Sequence, residues 1–213
     1  MESQEDIRDR HSRVLLTSIH CIVDTIETLQ ASDEEWSIEQ EQVDVLISMM
    51  RKCNFGKRMM GSRSPRVRQA AYHCAGRLAL NCRKVIIGCQ NELKKYIVGS
   101  FKEKDSLCYK SIFEMVIVVN KEIKSMWEDL NPKDIFWPSF YRFLRMSCYG
   151  SETFSYLALM PLLSTMPTQV WRRSLDGGDS KWEVLLETLK NLLAGTKGNF
   201  TNDKVLRMAG QCI

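Results

Sequence analysis

Through almost the whole of this 213-residue chain, apolar residues recur at spacings of three and four, and hardly any segment alternates as a strand would. That periodicity dictates helices with one apolar face each, and such helices must pack on one another to bury it. Leu15, Ile19, Ile22, Ile26 and Leu29 form the first face. The Ser32-Asp-Glu-Glu turn, acidic where a helix N-terminus favours negative charge, precedes a second helix carrying Ile38, Val45, Leu46 and Met49. Ser64-Pro65 opens a third: the serine can accept from free first-turn amides, and the proline sits where no N–H is needed. Ala70, Ala71, Cys74 and Ala75 keep this helix small on one side, so a neighbour can approach closely. Val85 to Phe101 is expected as its partner helix and Leu107 to Trp127 as a longer one. Glu152 to Met166 and Trp182 to Leu193 follow, with Asn202 to Cys212 as a weak last helix.

Helical hairpins thus begin near Ser64, Ser106 and Ser151, a spacing of roughly 40–47 residues that matches HEAT or armadillo arrays. Ser64-Pro-Arg-Val-Arg-Gln-Ala-Ala also carries the turn-Val-Arg-Ala wording common at the start of a HEAT helix. The expected fold is all-α, a HEAT/armadillo-like α-solenoid of antiparallel hairpins, with a compact helical bundle as the alternative. Residues 1–52 are expected as an N-terminal hairpin, 53–65 as a basic loop, and 66–213 as HEAT-like repeats truncated at the C-terminus.

Several function classes find no support. The acidic Met1-Glu-Ser-Gln-Glu-Asp start resembles neither a signal nor a transit peptide, and the longest apolar run, Ile112 to Val119, is short and interrupted by Glu114. Eight cysteines in a chain without a signal peptide are best taken as reduced, mostly core thiols of a cytosolic or nuclear protein. None forms a C-x-x-C pair, so no zinc site is expected. Three histidines without a local nucleophile motif, and glycines without a phosphate-loop pattern, leave no candidate catalytic or cofactor-binding residue and no small-molecule substrate. Asp176-Gly-Gly-Asp179 lacks the alternating oxygen ligands of a cation loop and is expected as a flexible turn.

The formal charge of +4 is mild, but Arg51, Lys52, Lys57, Arg58, Arg63, Arg66 and Arg68 cluster around Phe55 and glycines. Such a run can neutralise phosphates without sequence preference, or can simply keep a loop solvated. Among the later aromatics, Trp127, Phe136, Phe140 and Phe143 are expected between hairpins, while some of Trp137, Tyr141 and Tyr149 face outward and could anchor a partner.

One stretch carries more specific wording. After Trp127 come Phe136-Trp137-Pro138-Ser-Phe-Tyr-Arg-Phe-Leu-Arg, the turn Cys148-Tyr149-Gly150-Ser, and Tyr156-Leu-Ala-Leu-Met-Pro161-Leu-Leu-Ser-Thr-Met-Pro167. This succession resembles the N-terminal region of the listerin family of RING-type ubiquitin-protein ligases, with the resemblance running roughly from Ser64 to Gly195. The resemblance implies a scaffold segment acting in ribosome-associated quality control in the cytosol. Its implied partners are the large ribosomal subunit and the factor that recognises stalled subunits. The ubiquitin-conjugating enzyme would be reached only through a RING, which this chain does not carry, so the segment is expected to be non-catalytic and zinc is expected only in that downstream RING. The end at Ile213 without a polar capping repeat suggests a fragment with apolar surface exposed there. The rival reading is a non-catalytic HEAT-repeat adaptor, such as a transport or phosphatase scaffold; a small helical enzyme is a distant third.

Overall fold

The structure, a computed structural model, describes residues 4–33, 35–127, 162 and 164–166. Every element among them is helical, and together they form an all-α, solenoid-like array. Helix α1 spans Gln4–Ser32, α2 Gln40–Lys52, α3 Pro65–Asn81, α4 Arg83–Gly88, α5 Gln90–Gly99 and α6 Tyr109–Glu122. A π-helical turn at Gly56–Met60 links α2 to α3, and 3-10 turns occupy Ser100–Lys102, Ser106–Cys108 and Lys124–Trp127. None of the described helices is long and apolar enough to cross a membrane.

Helix α3 carries both α1 and α6, while α2 lies along α4. Burial of α3 therefore extends around most of its circumference, at Val67, Ala71, Tyr72, Cys74, Ala75, Leu78 and Ala79. One continuous buried cluster runs from Leu16 to Met166 and crosses the expected boundaries near residues 52 and 65. The hairpins bury their apolar faces on one another, as stacked helical repeats do.

The apolar faces differ in detail from the periodic expectation. In α1 the buried stripe is Leu16, Ile19, Val23 and Ile26, with Leu15 and Ile22 at its edge and Leu29 exposed. In α2 it is Val43, Leu46 and Met50, whereas Val45 is 58% exposed. At 3.6 residues per turn, Val45 stands about 200° around the helix from Val43, so both cannot face the core.

The element ends are also specified differently. Helix α2 begins not at Ser32-Asp-Glu-Glu but after Glu39, whose N–H donates to Gln42 Oε1 at 3.1 Å. Helix α3 does start at Ser64-Pro65, but the Ser64 side chain makes no cap hydrogen bond, and the Ser64 carbonyl accepts from the Arg68 N–H at 3.1 Å. The fourth expected helix, Val85 to Phe101, is broken at Cys89, whose N–H reaches back to the Val85 and Ile86 carbonyls at 3.1 and 3.2 Å. Next to that break, Gly88 lets the Ile47 side chain of α2 occupy the space a Cβ would need.

Close packing of α3 on α6 rests on a residue beyond the four small ones expected for it. A Cβ on Gly76 would stand 3.0 Å from the Met115 Cα, a backbone atom with little freedom to move. Gly76→Val is expected to lower the unfolding free energy in urea by about 2 kcal/mol, as overpacking of a close contact does. Gly99, with nothing near its missing Cβ, provides the control: Gly99→Ala is expected to be neutral or to stabilise by about 0.5 kcal/mol.

Candidate functional site

The basic run does not form an open loop. Arg51 and Lys52 belong to the last turn of α2, after which Asn54 takes a left-handed backbone (φ 51°) and turns the chain. Phe55, Met59 and Met60 then point inward and are buried, while Lys57 and Arg58 remain exposed. The turn closes through a Gly61 N–H to Gly56 carbonyl bond of 2.8 Å, the i to i+5 pattern of a π-helix. Gly56 and Gly61 both lie against the ring of Tyr96, where a side chain on either would collide. From below, the Tyr72 hydroxyl of α3 donates to the Met60 carbonyl at 3.4 Å. An amphipathic turn, anchored by its apolar residues, thus displays its cations.

Arg68 and Arg51 are occupied in holding this turn in place. The Arg68 guanidinium forks onto Glu103, with Nε to Oε2 at 2.7 Å and Nη2 to Oε1 at 2.8 Å. Its Nη1 donates to the carbonyls of Ser62 and Arg63 at 2.8 and 2.9 Å, tying down the link before α3. Glu103 Oε1 also accepts from the backbone N–H groups of Lys104 and Asp105, at 2.9 and 3.0 Å. Burial works to raise the Glu103 pKa, but the Arg68 hydrogen bond and the two amides outweigh it and hold the carboxyl below its ordinary value. Arg51 donates to Glu92 Oε1 at 2.9 Å and to the Gly88 carbonyl at 2.6 Å, joining α2 to α4 and α5. Of the remaining expected contacts, Lys52, Lys57, Arg58, Arg63 and Arg66 have exposed side chains.

A cleft of about 600 Å³ opens between this turn and α5, lined among others by Asn54, Lys57, Asn91, Lys95 and Tyr96. Lys95, whose ammonium lies 5.0 Å from the Tyr96 ring centroid, escaped the sequence reading because nothing along the chain sets it beside Lys57. The same blindness hid the charge network that fastens α1 to α3. There Arg77 pairs with Asp24 at 2.6 Å and with Glu27, whose Oε1 also accepts from Asn81 at 2.7 Å. The Arg77 hydrogen bond is the main reason the Glu27 carboxyl titrates below its ordinary value. Alongside, the rings of His20 and His73 stack at 5.6 Å, and His20 Nε2 lies 3.2 Å from the Ala70 carbonyl. Burial is the main influence lowering the His20 pKa.

Four of the six described thiols have the character of core residues, while Cys21 is exposed and Cys53 half-buried. Cys74, Cys82, Cys89 and Cys108 are buried, and desolvation pushes their pKa values to about 12, 11, 11 and 12. Such groups stay protonated at neutral pH and are poor nucleophiles. Among the described residues, no three or more of His, Cys, Asp and Glu are grouped so as to hold a metal ion.

Of the aromatic fingerprint, Trp127 falls within the described residues; Trp137, Pro138, Tyr149, Gly150, Tyr156, Pro161 and Pro167 lie outside them. Trp127 is 3% exposed and tilts against Phe101, with ring centroids 6.4 Å apart. Its indole N–H donates to Asn120 Oδ1 at 2.7 Å. The amide nitrogen of the same Asn120 donates to Thr165 Oγ1 and Met166 Sδ, both at 3.2 Å. One buried carboxamide therefore links α6, the Trp127 turn and residues Thr165 and Met166.

Comparison with known proteins is consistent with this arrangement. The family model described as E3 ubiquitin-protein ligase listerin, N-terminal domain, matches residues 1–166. The match includes the first sixty residues, beyond the Ser64-to-Gly195 range over which the resemblance was drawn. Searches of curated proteins and of solved structures found no match.

Proposed function

Since this chain belongs to the family of listerin N-terminal domains, we propose that it is the scaffold segment by which a listerin-type ubiquitin-protein ligase docks on the large ribosomal subunit. In that reading it acts in the cytosol, in quality control of stalled nascent chains, and makes no bond itself. Ubiquitin transfer would belong to a zinc-binding RING elsewhere in the ligase, and the neighbour on the ribosome would be the factor that recognises stalled subunits. The observation that carries the proposal is the family match over residues 1–166. The outward-facing cations around the π-turn support it chemically, because a surface made largely of ribosomal RNA attracts them. A generic transport or phosphatase adaptor has no comparable support.

Co-sedimentation tests the proposal. The chain is expected to pellet with purified large ribosomal subunits at low salt, and its apparent affinity is expected to fall as salt rises from about 50 to 200 mM, through release of counterions. Failure to pellet at any salt concentration would remove the docking role.

A further inference from the structure

We propose that the cleft between the π-turn and α5 is a seat for an RNA phosphodiester backbone, with Lys57 and Lys95 contacting phosphates from its opposite walls. This deepens the docking proposal by naming its contact, and it rests on that reading for the identity of the RNA.

Three observations carry it. First, the wall at Gly56–Met60 is a π-helical turn, an uncommon geometry that often marks functional sites, and it is fixed rather than loose: two glycines sit on Tyr96, and Phe55, Met59 and Met60 are buried beneath it. A fixed turn can hold a lysine at a set place. Second, charges in the cleft are unbalanced. Arg51, Lys57 and Lys95 face the single carboxylate of Glu92, and that carboxylate is already bonded to Arg51. The cleft is therefore positive, and its one acidic group is turned to a cation instead of toward an incoming phosphate. Third, the cleft supplies neutral hydrogen-bonding groups beside the cations, the carboxamides of Asn54 and Asn91, both on exposed residues. Amide donors of this kind hydrogen-bond to phosphate and sugar oxygens without reading base sequence.

A phosphate chain is favoured over an acidic peptide because the cationic groups that remain after the Arg51–Glu92 pair are lysines, which act as point charges. An arginine fork for planar, bidentate recognition of one carboxylate or phosphate is already committed here, whereas separate ammonium groups match charges that recur along a backbone.

The test compares the 213-residue chain, the double variant Lys57→Ala/Lys95→Ala, and a charge-matched control, Lys84→Ala/Lys121→Ala, whose residues are exposed and lie outside the cleft lining. Because Lys57 and Lys95 are exposed, the double variant is expected to melt at the wild-type temperature. Binding is read against purified large ribosomal subunits, a labelled oligouridylate and a labelled polyglutamate, across a salt series. The expected result is a loss of roughly tenfold or more for the double variant on both RNA targets, with a salt slope shallower by about 1.4, and near wild-type binding for the control. Unchanged binding of the double variant overturns the cleft while leaving ribosome docking intact. Equal weakening of both variants overturns it too, since only general charge would then be at work. Tighter binding to polyglutamate than to RNA, lost in the double variant, assigns the cleft to an acidic protein instead. If wild-type chain ignores ribosomal subunits, the docking role falls, and the oligouridylate series still decides the cleft on its own.

Discussion

Glu103→Ala is expected to destabilise the protein by about 3 kcal/mol, the range found when one partner of a buried ion pair is removed. The residue is 8% exposed and its carboxylate serves three donors at once: the Arg68 fork and the backbone N–H groups of Lys104 and Asp105. Its loss would leave those amides and a partly buried guanidinium without their acceptor. We take the low end of the range because the Arg68 side chain retains 17% of its exposure, so water can reach part of it. Glu103→Gln, which keeps an acceptor but no charge, should lose about half as much. The acid limb separates charge from shape. A carboxyl whose folded pKa lies below its unfolded value stabilises the fold fully above the ordinary value of 4.5 and loses that contribution as pH falls through the folded value. The wild-type advantage over Glu103→Gln in chemical denaturation should therefore be full at neutral pH, begin to fade as pH falls below 4.5, and be gone once pH lies below the folded value. An advantage that stays constant across that limb would show that the charge of Glu103 contributes nothing.

Trp127→Ala should cost more, about 4 kcal/mol, measured as a shift in the urea midpoint at constant slope. The indole is buried against Phe101 at the end of the 3-10 turn Lys124–Trp127, and its truncation leaves a large cavity in the packed core. It also leaves Asn120 Oδ1, itself on a 3% exposed residue, without its donor at 2.7 Å. Trp127→Phe distinguishes the two contributions: it refills most of the volume and still orphans the oxygen, so a loss of about 1–2 kcal/mol is expected. A Phe variant as unstable as the Ala variant would mean that the hydrogen bond, and not the volume, dominates this site.

How much of this was legible beforehand follows from what a one-dimensional pattern can carry. A helical period needs several turns to declare itself, so α1, α3 and α6 stood out, together with the starts at Pro65 and near Ser106. The period cannot say which of two adjacent stripes faces inward when both are apolar, which is why Leu16 and Val23 displaced part of the expected face of α1. The π-turn was hidden differently. Between Arg51 and Arg66 the glycines, lysines and arginines outweigh Phe55, Met59 and Met60 in any average, although those three apolar residues determine the packing. A single i to i+5 bond is also too local to show as a period. Partnerships across a long stretch of chain leave no trace at all in composition. Arg51 with Glu92, Arg68 with Glu103, Arg77 with Glu27, and the shared cleft of Lys57 and Lys95 are products of stacking, so Arg51 and Arg68, which look available in the sequence, are already engaged.

Asn120 sets a different kind of limit, on which sequences can share this fold. Its oxygen and its nitrogen are used by different partners on different segments: the oxygen receives from Trp127, and the nitrogen gives to Thr165 and Met166. Aspartate would retain the shape and the acceptor but has no hydrogen to give once ionised. Leucine has neither, and glutamine places its amide one methylene too far out. Each of these replacements leaves at least one neighbour without its partner, so a change at position 120 is expected to cost least when 127 or 165–166 changes with it. A polar residue in the last turn of an apolar helix, the least remarked letter in Ile117-Val-Val-Asn-Lys, thereby fastens three parts of the chain together.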